Sequence, residues 1–326
     1  MDTTAARRAL EALPRVSLAP GPSPVEALDR LRALTGARPR LLVKRDDALA
    51  FGFGGNKVRK LALVGAQALA AGADTLVTTG GVQSNHCRAT AAAATRLGLG
   101  CHLVLNGAPP ERAAANLLLD RLLGAEVEYV ATREERAPAL RTACERLRAM
   151  GRRPFEIPLG ASTAVGAAAF ALAFGELVAQ AGAPDVIVHS TSSGGTQAGL
   201  VAGSVLWDAP TRVIGVSADD PEPAIAGQVS AVLREIAALL GLDAEDLLSR
   251  RPILVEDGFV GPGYGVASEA SIEAQSLFAR SEALFVDHTY TAKAAAGLLA
   301  LLRSGRLDDA ERVVFWHTGG QVSLFA

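Results

Sequence analysis

Short β-branched runs alternate with long Ala/Leu-rich runs along the chain, and this alternation constrains the fold more than any other feature. Leu41–Lys44, Thr75–Thr79, His102–Leu105, Glu126–Val130, Asp185–His189, Arg212–Ser217 and Val313–His317 read as strands. Between them Val58–Ala71 (closed by Gly72), Asn85–Leu97, Arg112–Leu123 and Thr196–Leu206 read as helices. Strands separated by helices of about 10–15 residues need crossover connections, which makes the sheet parallel and covers both its faces. The expected class is α/β, with open, mainly parallel twisted sheets. At 326 residues the chain leans towards two domains of ~150 residues each. No low-complexity tether divides it, so any boundary is a packed crossover. The loop at Gly160–Val165, which precedes a long Ala-rich helix, is where we expect it.

Composition removes several function classes. The hydrophobic share is 49% and the charged share 20%, enough to bury a sizeable core. Lys+Arg is 32 against Asp+Glu 34, a net charge of -2, so no nucleic-acid partner is expected. The three cysteines, Cys87, Cys101 and Cys144, are odd in number and lack C-x-x-C spacing. Neither a disulfide framework nor a metal site is expected, and a reducing compartment fits. No run of ~18 apolar residues is free of a charge or polar break, so no membrane span is expected. Met1–Pro14 lacks an apolar signal core, and the protein is expected to be cytoplasmic. P-loop, dinucleotide G-x-G-x-x-G, G-x-S-x-G and H-E-x-x-H patterns do not occur in their required contexts.

Glycine-rich segments remain. In the first, Gly52, Gly54 and Gly55 precede Lys57 where a turn becomes a helix. A lone lysine there is ordinarily solvated. The functional reading is an amine made nucleophilic at a helix start, with Arg59 and Lys60 nearby to lower its pKa. The second, Gly80-Gly81-Val82-Gln83-Ser84-Asn85-His86, follows a strand and opens a helix, which suits either an anion site or a plain N-cap. The third, Ser190 through Thr196, offers successive N–H groups at a helix start after the best buried strand and reads as a phosphate cradle. The fourth, His317-Thr318-Gly319-Gly320, ends the last strand. Two of the three tyrosines, Tyr264 and Tyr290, sit in loop settings poorly suited to a core.

Taken in order, Gly54-Gly55-Asn56-Lys57-x-Arg59-Lys60, Gln83-Ser84-Asn85-His86, Gly194-Gly195-Thr196-Gln197, Gly261-Pro262-Gly263-Tyr264-Gly265 and His317-Thr318-Gly319-Gly320 resemble the 1-aminocyclopropane-1-carboxylate deaminase / D-cysteine desulfhydrase family. The L-cysteate sulfo-lyases share the pattern. The likeness runs from about Pro24 to the C-terminus. It implies fold type II and pyridoxal 5'-phosphate (PLP). It implies Lys57 as the Schiff-base lysine, Lys60 as a phosphate contact, and Asn85 on the cofactor's phenolic oxygen. Ser193, Gly194, Gly195 and Thr196 would hold the phosphate, and Thr318 would face the pyridine nitrogen. Ser84, with Gln83 and His86 beside it, would meet the substrate or move a proton, and Tyr264 and Tyr290 would flank the substrate. It also implies a small domain over 58–163 that carries Ser84, and a large PLP-binding domain from 1–57 plus 164–326.

Two departures stand out. His288 replaces a proline of the family pattern, and Thr291 replaces the glutamate of the cyclopropane deaminases. With Thr291 and Thr318 both neutral at the ring nitrogen, the electron sink is weaker, which favours a good leaving group. The expected activity is a deaminating lyase: elimination of thiolate or sulfite from a small amino acid, giving pyruvate and ammonia. Cyclopropane opening and β-replacement are the alternatives, and a non-catalytic phosphate-binding module is the bland one. A homodimer is the expected assembly. The stereochemistry of the substrate stays open.

Overall fold

A computed structural model describes residues 2–326; Met1 lies outside them. The strands are β1 (Val25–Ala27), β2 (Arg40–Arg45), β3 (Thr75–Gly81), β4 (Gly100–Asn106), β5 (Glu126–Val130), β6 (Pro154–Ile157), β7 (Val186–Thr191), β8 (Arg212–Ser217), β9 (Leu254–Glu256) and β10 (Arg312–His317). The helices are α1 (Thr3–Glu11), α2 (Asp29–Thr35), α3 (Asn56–Ala70), α4 (Asn85–Leu97), α5 (Ala115–Leu122), α6 (Arg136–Ala149), α7 (Ala164–Ala181), α8 (Gly195–Leu206), α9 (Glu222–Leu240), α10 (Ala244–Arg250), α11 (Glu269–Glu282) and α12 (Thr291–Arg303).

They build two sheets. The larger has the order β1-β2-β10-β7-β8-β9, and only its β1–β2 edge pair is antiparallel. The smaller has the order β5-β4-β3-β6 and is parallel throughout. The class is therefore α/β with mainly parallel sheets and helices on both faces. The last strand is central: Val313 of β10 stands opposite Leu41 on one side and Val186 on the other. Its side chains alternate between two cores. Val314 and Trp316 join the α7–α9 face, while Val313 and Phe315 join the face under α11 and α12. The small sheet divides likewise, with α3–α5 on one face and α6 on the other.

Three strands had no counterpart in the sequence reading: β1, β6 and β9. Each has only 3 or 4 residues, too short for a period-2 pattern to show. Helices α7 and α9 are long and apolar enough, by length and composition, to cross a membrane. Here both pack into the core of the large sheet. Helix α7 starts where the Thr163 side chain accepts from Gly166 N–H, and it stops at Gly182. Its Ala-rich face lets α8 approach so closely that a Cβ on Gly199 would run into the Ala167 carbonyl and stand 2.5 Å from Phe170 Cβ.

Candidate active site

The C-terminal ends of β3, β7 and β10 converge on a cavity of about 460 Å³ between the two sheets, the usual place for ligands in open α/β sheets. Lys57 reaches it from the first turn of α3, where Gly55 brings the loop against Thr318 and Gly319 at the end of β10 and Gly54 packs on the Asp46–Leu49 backbone. The Lys57 amine is near only one acceptor, the Gly160 carbonyl at 3.5 Å. Burial holds its pKa down at about 8. The sequence reading assigned that shift to Arg59 and Lys60, and the structure corrects the cause. Arg59 turns away into an ion network with Asp46 and Glu176, which fixes α3 to β2 and α7. The Lys60 amine is buried and is itself pushed well below its ordinary value, by burial first and then by the Lys57 charge.

Lys60 does not line the cavity. Its amine donates to Gly160 O at 3.1 Å and to Ser162 Oγ at 3.2 Å, and Ser162 bonds Ser193 at 2.8 Å. Two hydroxyls, of Ser162 and Ser193, stand between this amine and the cavity. Ser193, Gly194 and Thr196 do line the cavity, at the N-terminus of α8. Thr196 Oγ1 accepts from the Asn56 side chain at 3.1 Å. Gly195 stands one layer back, its N–H bonded to Ser193 O and its Cα facing Ser162 and Lys60.

The start of α4 forms the opposite wall. Ser84 caps it, accepting from Cys87 N–H at 3.2 Å, and the same residue lines the cavity. Asn85 Oδ1 accepts from Arg88 Nη1 and from Asn116 Nδ2, which leaves the Asn85 amide nitrogen as the free donor. His86 lines the cavity too. Thr78 Oγ1 donates to Ile157 O, so it accepts from His86 Nε2–H at 2.8 Å. That leaves His86 Nδ1 as a buried acceptor without a protein partner. Burial, reinforced by the charges on Lys57 and Lys60, keeps this imidazole neutral. Gln83 is not in the cavity. Its side chain accepts from Asn116 N–H and donates to Ala114 O, so it pins α5 to the α4 turn outside the cavity.

Tyr264 and Tyr290 meet over the cavity, hydroxyl to hydroxyl at 2.6 Å, with rings edge to face at 5.7 Å. Burial raises the Tyr264 phenol to about 12 and raises Tyr290 well above its ordinary value, so both stay protonated. Thr318 also lines the cavity, while its carbonyl accepts from Asn56 N–H. Thr291 does not. It is buried at the start of α12, bonded to Asp287 through Oγ1 at 2.7 Å, and His288 does not line the cavity either. Of the Asp287–Thr291 turn, only Tyr290 lines the cavity.

Among the lining residues are several to which the sequence assigned no individual role. Ser190 Oγ and Thr191 Oγ1 are buried without a protein partner at the end of β7. Their place in the Ser190–Thr196 run was a usable signal. Arg133, Arg136 and Asp219 sit at the rim, where Arg133 reaches Asp220 at 3.3 Å from the small-sheet side to the large. An ordinary Arg/Glu stretch gives no hint of that.

Residues 16–319 match the family model described as pyridoxal-phosphate dependent enzyme. The chain is 38% identical over 327 aligned positions to a D-cysteine desulfhydrase of Salmonella typhi, with 97% of each chain covered. Among solved structures it is similar to an ACC deaminase homologue, with TM-score 0.91, 32% identity, and 98% and 96% of the two chains covered. A pyridoxal 5'-phosphate-dependent aspartate racemase, at TM-score 0.69 and 17% identity over 97% of this chain and 94% of the other, shares the fold.

Proposed function

Because the chain belongs to the pyridoxal-phosphate dependent enzyme family, we propose that this lyase eliminates a sulfur leaving group from a small cysteine-like amino acid, D-cysteine first among them, releasing pyruvate and ammonia. The observation that carries the reading is an amine held near neutrality by burial, Lys57, in one cavity with an unsatisfied set of hydroxyl and amide donors.

Those donors fit the cofactor. The Ser190 and Thr191 hydroxyls, with the N-terminal amides of α8, suit a phosphate dianion. The free Asn85 amide nitrogen suits a phenolic oxygen. The neutral Thr318 hydroxyl suits an unprotonated ring nitrogen. Bound PLP supplies the electron sink that makes the substrate's α-proton acidic.

The chain's own groups do the rest. The N-terminus of α4 receives the substrate carboxylate through the Asn85 and His86 N–H groups, with the Ser84 hydroxyl beside them, the Ser84 N–H being bonded to Gly81 O. Lys57 Nζ, neutral above about pH 8, takes the proton from Cα. The protonated Tyr264–Tyr290 pair stands ready to hydrogen-bond the departing sulfur. Cleavage of Cα–H and Cβ–S releases the thiolate with its electron pair, and water then releases ammonia from the three-carbon remainder. Among the described residues the only carboxylate lining the cavity is Asp219, which sits at the rim and accepts from Ser192 Oγ at 2.9 Å. No acid therefore supports a protonated ring nitrogen, and an easy leaving group is favoured.

The likeness to an ACC deaminase homologue supports cyclopropane opening as the second reading. One assay separates them: initial rates of pyruvate or 2-oxo acid formation with D-cysteine, L-cysteate, β-chloro-D-alanine and 1-aminocyclopropane-1-carboxylate. We expect D-cysteine or β-chloro-D-alanine to show the highest kcat/KM, and a faster cyclopropane acid would overturn the leaving-group argument. We further propose a cytoplasmic homodimer. Supporting it, all three cysteines are free and buried, and Leu118, Leu122 and Phe325 stay exposed where α5 meets the C-terminal turn.

A further inference from the structure

Arg88 is buried on α4 behind the cavity wall. Its guanidinium donates to Asn85 Oδ1 at 2.9 Å, to Asn116 Oδ1 at 2.8 Å and to Gly54 O at 3.0 Å. One cation thus ties the first turn of α4, the start of α5 and the loop that leads to Lys57. A cation at this depth calls for a counter-charge, because desolvation disfavours its charged form. The acid whose charge acts on it is Asp120 of α5. Asp120 is fully buried, and neither of its carboxylate oxygens hydrogen-bonds to the protein; Arg88 Nε is buried and equally unbonded. The other titratable groups acted on by Asp120 are Cys87 on α4 and Cys101 on β4. The mechanism above makes no use of Asp120.

We propose that Asp120 is a positioning residue for the cofactor site, its charge offsetting that of Arg88 and thereby setting how strongly Arg88 polarises the Asn85 amide. The inference rests on the cofactor reading given above. The geometry dictates the direction. With Asp120 ionised the pair is nearly neutral, and Asn85 donates as an ordinary amide. With Asp120 protonated or replaced, the Arg88 charge stands alone. It then draws density through Asn85 Oδ1, and the free N–H becomes a stronger donor to the cofactor's phenolic oxygen. Burial holds the Asp120 carboxyl up at about 7 against the pull of Arg88, so the change falls in the neutral range. Burial also lowers Arg88, but only to about 10, so the guanidinium stays charged there.

The test is a pH titration of the visible absorbance of purified holoenzyme, comparing wild type with Asp120→Asn and Asp120→Leu. The first variant keeps the shape and the second removes the polar group, so a folding defect in one leaves the other. We expect the midpoint to fall in the variants by about 0.3–1 pH unit, since an uncompensated cation favours the deprotonated form. Melting of the apoprotein gives an independent readout. A raised carboxyl pKa makes the wild type lose stability as pH rises from 5 to 8, so the variants should gain on it across that interval. A midpoint unchanged in both variants, with cofactor bound, would overturn the proposal and leave the cofactor reading intact. A wild type with no visible absorbance after reconstitution would overturn both.

Discussion

At the scale of the residue, the informative quantity is the state of Lys57. Its amine is lowered from the ordinary 10.5 to about 8 by burial alone. Below that pH it is an ammonium and cannot attack the cofactor aldehyde; above it the lone pair is free. The rate of PLP capture by apoprotein should therefore rise with pH to a midpoint near 8, read by stopped-flow absorbance. A midpoint near 10.5 would mean an exposed lysine. Borohydride treatment of the holoenzyme should fix the label on Lys57, and Lys57→Ala should lose both label and turnover while its melting curve stays cooperative. A label on Lys60 would reverse their roles, since the two amines share the Gly160 carbonyl. Gly160 matters for the same reason: a Cβ there would stand 3.3 Å from Lys57 Nζ and collide with Ser193.

At the scale of the element, helix packing sets the accuracy of the site. Helix α8 presents its N-terminus to the cavity, where we propose that the phosphate sits, and its distance from α7 is set by Gly199 against Ala167 and Phe170. Gly199→Ala should destabilise the protein by about 1–3 kcal/mol, as overpacking does, and should weaken PLP retention as α8 shifts. Urea unfolding with a parallel dialysis titration measures both. A loss of neither would mean that the helices separate freely. Gly194→Val should likewise weaken PLP retention. Gly194 has φ +73, and its Cβ would meet the backbone of Val229 on α9 at 3.0 Å. The substitution acts by strain on the turn rather than by blocking the cofactor.

At the scale of the whole molecule, chain order and sheet order differ. Strand β10 comes last in sequence and lies between β2 and β7, whereas the small sheet uses strands contiguous from Thr75 to Ile157. Removing residues 312–326 should open the large sheet through its middle and abolish cooperative unfolding there, while the small sheet keeps a residual transition. Circular dichroism melts of the truncated chain check this. One full-sized transition would show that β10 is dispensable, and no transition at all would show that the small sheet does not stand alone, against a domain over 58–163.

Several residues that line the cavity were legible in the sequence because each is bound to a local backbone device. Lys57 follows a glycine turn, Ser84 and Asn85 cap a helix, and Ser193–Thr196 open one; such geometry is dictated within a few residues by φ/ψ and unsatisfied N–H groups. The parallel α/β class was legible for a similar reason, since period and run length are local. What only the tertiary structure decided depends on side chains far apart in sequence. Gln83 and Lys60 belong to motifs, yet Asn116 and Ala114 claim the first, while Gly160 and Ser162 hold the second behind the wall. Thr291 turns to Asp287, and Arg133 reaches the rim only because the two sheets face one another there. A hydrogen bond has one geometry and a limited number of partners, so a polar side chain serves whichever group the fold brings to it first, and that choice is written in the packing of the whole chain.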